Sequence, residues 1–338
     1  MRWLALALLV ACGGKAQAPI PEKPVPPVVV EPPCAPAGEV ALPADGKLAC
    51  RQLPLTVTFP PGTQLVRQND RALALYSAKL EKGVLALLVE PRTDTPDSLS
   101  IDALLKSLIT GIAVNATTES TTAPALAGTT ASAALTFTTP DGGAGVARGY
   151  FANHWLFAVI VGARSPDSPA RADKPGAQAF LGSLVLRPLP TGTQRHVLAN
   201  GASVELPASA WSTGAQPPAD GVLSDVIYVA PERGTWIGVR ELESRDRCTA
   251  LKGGSDDQLA DRLRKMYGSE ENPLGKIERG AFGDYSAYGE VSLEPRHVSM
   301  YVICAGATTV QLSVAGERPF AELRTQLDAV AKSLVGAK

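Results

Sequence analysis

The sequence predicts an α+β protein built as two tandem domains, each a mostly antiparallel β-sheet packed by helices. Three observations carry that expectation. Short stretches in the first half of the body reappear in the same order in the second, about 150 residues later. Most apolar runs are short, rich in β-branched and aromatic residues, and separated by tight turns, which join antiparallel strands. Between them stand segments with apolar residues at helical spacing, so each sheet is expected to be covered by helices.

Residues 1–11 read as a leader. Arg2 supplies a positive start, Trp3 to Val10 are apolar, and Leu9-Val10-Ala11 directly precede Cys12. So short a run cannot cross a hydrocarbon core, which needs about 20 helical residues; it suits a secretory signal. Leu9-Val10-Ala11-Cys12 resembles the lipobox of bacterial lipoproteins. The resemblance implies that the Cys12 thiol carries diacylglycerol, that the chain is cut before it, and that the new amine is acylated. One acyl chain, at about 0.8 kcal/mol per buried CH₂, holds only marginally, whereas three exceed the two signals that stable anchoring takes. Gly13 rather than Asp after the cysteine fits sorting to the outer membrane. The expected place is therefore the bacterial cell envelope, facing the periplasm or the cell surface.

Residues 12–36 are a tether. Eight prolines fall between Ala18 and Pro36, and proline favours extended polyproline II at about 3.1 Å per residue. A semi-rigid stalk is the expected role, with a proline-rich ligand for a partner as the alternative. The formal charge of −1, the pI near 6.3 and an aromatic content of 5% give no footprint for nucleic acid. Hydrophobic residues make up 45% of the chain, enough for a substantial core.

Cys12 aside, four cysteines remain: Cys34, Cys50, Cys248 and Cys304. An even number in an exported chain reads as two disulfides, although four cysteines allow three pairings. Pairing Cys34 with Cys50 closes residues 37–52 as a hairpin or loop around the Asp45-Gly46 turn signal, and pairing Cys248 with Cys304 clips the second domain to itself. A zinc site competes weakly, because closely spaced cysteine pairs are missing.

The domains are placed at 53–190 and 194–338. Leu55-Thr56-Val57-Thr58-Phe59-Pro60 has its counterpart in Ala202-Ser203-Val204-Glu205-Leu206-Pro207, and Glu81-Lys82-Gly83 in Glu232-Arg233-Gly234. AVIVGAR (158–164) is similar to QLSVAGER (311–318), and Ser-Leu-Val ends both copies, at 183–185 and 333–335. Ile101, Leu104, Leu105, Leu108, Ile109 and Ile112 lie on one helical face. Leu259, Leu263, Met266 and Tyr267 do the same, with Ser255 as N-cap and Gly268 as exit. A closing helix follows Pro319, its inner stripe Phe320, Leu323, Leu327, Val330 and Leu334. WLFAVIV (155–161) is apolar on both faces and reads as a strand covered on both sides; TVQLSVAG (309–316) alternates, so one face is expected to be wetter. Hairpins are expected across Asp141-Gly142-Gly143 and Pro295-Arg296-His297. Each unit then runs two or three strands, a helix, three strands and a final helix.

The opening strand ending at Pro60, the stretch YFANHWLFAVIVG (150–162) and the terminal AQAFLGSLVLR (177–187) resemble the PsbP-like α/β/α sandwich superfamily, which includes DcrB-like bacterial lipoproteins. The resemblance covers 53–188. The second copy, 197–336, departs from it by lacking the bulky two-faced strand and adding a cysteine pair. It implies a binding or accessory protein, with no catalytic residues to carry over.

Chemistry is sparse. His154, His196 and His297 are far apart, and H-E-x-x-H, G-x-S-x-G, Walker and G-x-G-x-x-G patterns are missing. No cofactor or metal is expected, and Asp256-Asp257 lacks the spaced oxygens of a calcium loop. Trp155 and Trp236 suit the core. Trp211, within PASAWSTGAQPP, is the candidate exposed contact, and Arg240, Arg245 and Arg247 of RELESRDRC are candidates for a partner or an anionic ligand. The expected function is a noncatalytic, membrane-anchored binding or scaffolding protein with an envelope protein as partner. The alternatives are a carrier of a small hydrophobic ligand and an envelope hydrolase with a dispersed site.

Overall fold

The structure is a computed structural model in which residues 34, 37–70, 73–92, 94–215, 221–230, 233–243, 248, 251–267, 274–306 and 308–335 are described. The leader, Cys12 and most of the tether lie outside them, as do Arg245, Arg247 and Gly268. No helix among the described residues is long and apolar enough to cross a membrane.

The first half contains β1 (Gly38–Val40), β2 (Lys47–Leu48), β3 (Leu55–Thr58), β4 (Leu65–Asp70), β5 (Leu73–Leu80), β6 (Gly83–Pro91), α1 (Ser98–Ile112), β7 (Thr117–Thr121), β8 (Ala131–Thr138), β9 (Ala144–Ala152), β10 (Trp155–Ala163), α2 (Pro175–Gly182) and β11 (Val185–Leu186). The second contains β12 (Thr193–Val197), β13 (Ser203–Pro207), β14 (Trp211–Ala215), β15 (Val222–Ala230), β16 (Thr235–Leu242), α3 (Asp256–Tyr267), β17 (Leu274–Arg279), β18 (Tyr285–Leu293), β19 (Arg296–Ala305), β20 (Thr308–Gly316) and α4 (Phe320–Lys332).

The two main sheets repeat one topology. The first has the order β1-β4-β5-β6-β10-β9-β8-β7 and the second β14-β15-β16-β20-β19-β18-β17. Every neighbouring pair is antiparallel. Without the added edge strand β1, the two orders match strand for strand. The fold is α+β with mostly antiparallel sheets, as the sequence predicts. The described residues hold eleven strands in the first half and nine in the second, against the five or six per unit that the sequence suggests, in part because polar edge strands such as β7, TTEST, carry no apolar alternation.

The repeated Ser-Leu-Val has a physical role. Ser183 Oγ donates to the Phe180 carbonyl at 2.8 Å and accepts from the Thr58 N–H at 2.8 Å. Ser333 Oγ donates to the Val330 carbonyl at 2.6 Å and accepts from the Glu205 N–H at 2.8 Å. Each hydroxyl thus closes a helix end and ties it to an early strand of the same half, β3 or β13. The valine then pairs with that strand, Val185 opposite Thr56 and Val335 opposite Ser203.

Burial follows the strand period. In β10, Trp155, Phe157, Val159 and Val161 face a cluster with Phe59 of the opening segment and Phe180 of α2. Leu156, Ala158 and Ile160 face the opposite cluster, built on Ile101, Leu105 and Ile109 of α1. The two-faced strand is covered on both sides, as its composition predicts. In β20, Val310, Leu312 and Val314 are buried beneath Leu323, Leu327 and Val330 of α4, whereas Gln311, Ser313 and Ala315 on the other face are only half-buried. Asp97 caps α1, accepting from the Ser100 N–H at 2.8 Å. Ser255 and Gln258 form a reciprocal box at the start of α3, at 3.3 and 3.1 Å.

Three boundaries differ from the sequence reading. Residues 37–52 are part of the first body: β1 pairs with β4, β2 with β3, and Leu48 and Cys50 are in its core. His196 lies in β12, within the second body, rather than in a linker. Leu104 and Ile112 stay 38% and 55% exposed, because only the i, i+4, i+8 stripe of α1 meets the sheet. Residues 32–338 form a single compact unit containing both halves.

Disulfides join Cys34 to Cys50 and Cys248 to Cys304, with sequence separations of 16 and 56. Loop-closure entropy assigns them about 3 and about 4 kcal/mol. Replacing both cysteines of a pair by serine is expected to destabilise the protein in that order, measured by urea unfolding; a larger loss at the short loop would contradict it.

Candidate functional site

A cleft of about 810 Å³ opens on the α1 side of the first sheet, where α1 ends. Its origin lies in one row of side chains crossing five strands. Lys79 on β5 is opposite Val84 on β6, Val84 opposite Gly162 on β10, Gly162 opposite Gly145 on β9, and Gly145 opposite Phe137 on β8. Directly paired residues share a sheet face, so two adjacent strands present no side chain in this row. The Phe137 ring fills the gap at Gly145, where a Cβ would sit 2.2 Å from Phe137 Cζ, and leaves Gly162, 3.4 Å from the ring by the same measure, as the open floor of the cleft. Ile160 and Leu80 extend the apolar lining. At the mouth, α1 stops at Ile112, Ala113 turns to an extended conformation, and Ile112 and Val114 are left 55% and 78% exposed beside the cleft.

The corresponding row of the second half is filled. Counting from the first pair of the β6–β10 and β16–β20 ladders, Val84 and Gly162 correspond to Trp236 and Ala315. The row there reads Val229, Trp236, Ala315, Val298 and Val291. Valine replaces the lysine, an indole the isopropyl group, and alanine and valine the two glycines. The same topology therefore carries an amphipathic row, open at Gly162, in one copy and an apolar, side-chain-filled one in the other.

Charge is concentrated at the cleft rim. Lys79, Lys82 and Arg164 line it, against one carboxylate, Asp141. Thr139 Oγ1 donates to Asp141, holding its carboxyl below the usual range. Lys82 pairs with Asp167 at 2.9 Å. Hydrogen bonds from Ser165 and Lys82 push the Asp167 carboxyl down to about 2.

The candidate contacts read from the sequence fall elsewhere. Trp211 is not an exposed loop residue. It opens β14 at 2% exposure, joins the core cluster of the first half, meets Trp155 edge-on at 5.3 Å and lies beneath the Arg67 guanidinium at 4.7 Å. The polar residues around it in sequence belong to a strand edge whose tryptophan turns inward. Arg240 is on β16, with Nε and one terminal nitrogen on Asp225 Oδ2 at 2.9 and 2.6 Å, so its charge is matched across the sheet. Glu241 beside it is buried and accepts from the backbone N–H groups of Ala199 and Asn200, at 2.7 and 3.3 Å. The histidines do not converge. His154 sits in the β9–β10 turn against Phe151, and His297 lies against Phe320. His196 Nδ1 meets the Tyr228 hydroxyl at 2.7 Å, where burial pushes the phenol up to about 12. Among the described residues none of the three rings hydrogen-bonds a carboxylate, and no His, Cys, Asp and Glu cluster could hold a metal ion. The cleft itself was missed because Gly145 and Gly162 read as ordinary strand residues; glycine inside a strand was the available signal.

No family model matches the sequence, and no curated protein does. Part of the chain is similar to a solved structure. The solution structure of the cyanobacterial PsbP protein CyanoP from Synechocystis sp. PCC 6803 covers 43% of this chain and 93% of its own, at 18% identity and a TM-score of 0.35.

Proposed function

We propose that the protein is a lipid-anchored bacterial envelope protein of two PsbP-like domains, sorted to the outer membrane, that works as a noncatalytic binding protein. The observation that carries the reading is the cleft of about 810 Å³ in the first half. Binding pockets of small molecules span roughly 300–1,000 Å³ and are lined mainly by apolar groups with a few polar ones. The cleft has that size and lining, and its polar side chains, Lys79, Lys82, Asn115, Thr139, Asp141 and Arg164, do not pair a nucleophile with a histidine base. Between scaffolding and carrying, it favours a carried apolar ligand, with an envelope protein as the exchange partner and no role for nucleic acid.

The neutral dye N-phenyl-1-naphthylamine tests this. The wild-type protein is expected to bind it with enhanced fluorescence, and Gly162→Leu to weaken that binding at least about tenfold while leaving the circular dichroism unchanged. The substitution is feasible because a Cβ at Gly162 meets only Phe137 and Val84, at 3.4 and 3.5 Å. Leucine buries several methylenes' worth of the trench, each worth about 0.8 kcal/mol to a ligand. A fully folded Gly162→Leu protein with wild-type dye binding would remove the cleft from the function.

A further inference from the structure

We propose that the cleft selects a single-chain amphiphile with an anionic head, a fatty-acid anion, with its carboxylate at Lys79 and Arg164 and its chain laid over Val84 and Gly162 against the Phe137 ring. This rests on the binding reading and adds the chemistry of the ligand. The row that floors the cleft is polarised: Lys79 stands at one end, Val84 and Gly162 follow, and the Phe137 ring, lying over Gly145, closes the other. At about 4.8 Å per strand, the two inter-strand steps from Lys79 to Gly162 give the open floor a length of roughly 10 Å. The apolar groups around that floor, Leu80, Ile112, Val114, Phe137 and Ile160, suit an alkyl chain.

Charge fixes the head group's sign and its end. Of the three rim cations, Lys82 is committed to Asp167. Lys79 and Arg164 make no ion pair among the described residues, although the Arg164 charge is felt at Asp141. The one carboxylate lining the cleft among the described residues, Asp141, is already engaged by Thr139. The opposite wall is the C-terminal end of α1, whose last turn has no basic residue. A helix C-terminus carries partial negative charge, so an anionic head is repelled there and directed to the β5 and β10 side. The second half supplies the internal contrast. Where it fills the row with Trp236, Ala315 and Val298, it also replaces the lysine with Val229, which is fully buried. Cation and trench are present together or replaced together, which is the pattern of one built site.

The test is displacement of N-phenyl-1-naphthylamine from the full-length protein by dodecanoate, dodecanol and dodecyltrimethylammonium. Dodecanoate is expected to compete at least about tenfold better than dodecyltrimethylammonium. Lys79→Glu/Arg164→Glu, two surface changes, is expected to cut dodecanoate affinity by up to about fivefold per site, the upper end for exposed charge pairs, without affecting dodecanol. Octanoate should bind more weakly than dodecanoate, by roughly fourfold per CH₂ lost while the chain lies in the trench. Equal competition by the three C12 compounds, or preference for the cation, would overturn the head-group assignment and leave the binding reading standing. Failure of the dye to bind at all would overturn both, and charge selectivity that survives the double reversal would move the head group away from Lys79 and Arg164.

Discussion

Trp211→Ala is expected to cost about 3–5 kcal/mol of unfolding free energy, the range for removing a large aromatic from a packed site. Three features put it in that range. The indole is 2% exposed and in edge contact with Trp155, itself fully buried. It also covers Arg67, a guanidinium 5% exposed whose pKa burial lowers. Removing the indole therefore leaves both a cavity and a buried cation stripped of one aromatic face, and a cation over an aromatic face contributes about 0.5–2 kcal/mol. Because Trp211 comes from the second half and packs in the core of the first, the loss should appear in both. Urea unfolding followed by probes in each half should shift together; a shift confined to the second half would show that the contact carries little. Fragment 53–190 expressed alone lacks this indole, the Cys34–Cys50 segment and the Gln52–Gln194 hydrogen bond at 3.1 Å. Its stability is expected to fall well below that of the same region in the whole chain.

Cys12→Ser is expected to move the protein from the membrane fraction to the soluble one almost completely. The reasoning is in the lipid arithmetic. A single acyl chain binds a bilayer only reversibly, while the three that a lipoprotein cysteine carries make detachment negligible. The change removes the thiol on which that processing begins, and the described body offers no helix able to span a membrane in compensation. Fractionation with and without the substitution, with intact mass of the mature chain, checks it. Membrane retention of Cys12→Ser, or a mature chain still starting at Met1, would remove the proposed anchor and the proposed place of work.

Legibility in the sequence tracked the strength of local physics. The two-faced strand 155–161, the alternating strand 309–316, the hairpin at Asp141-Gly142 and the Ser-Leu-Val ends were readable because apolar period and turn chemistry act over a few residues. The polar edge strands β7 and β17 were not, since pairing on one side suffices to hold them and no apolar face is required. Trp211 was misplaced for a related reason: its neighbours are polar, and only the partner half decides that its side chain turns inward. The cleft was the least visible feature of all. It depends on Gly145 and Gly162, 17 positions apart in sequence, becoming direct neighbours across β9 and β10, and register is a tertiary fact.

The short disulfide also determines how the body would bear a pull. Any force arriving along the chain from its N-terminal side enters at Cys34 and crosses the Cys34–Cys50 bond. It reaches β3 without passing through residues 35–49. The three-residue pairing of β1 with β4 is thereby spared shear, and the edge of the first sheet stays shielded from such a load.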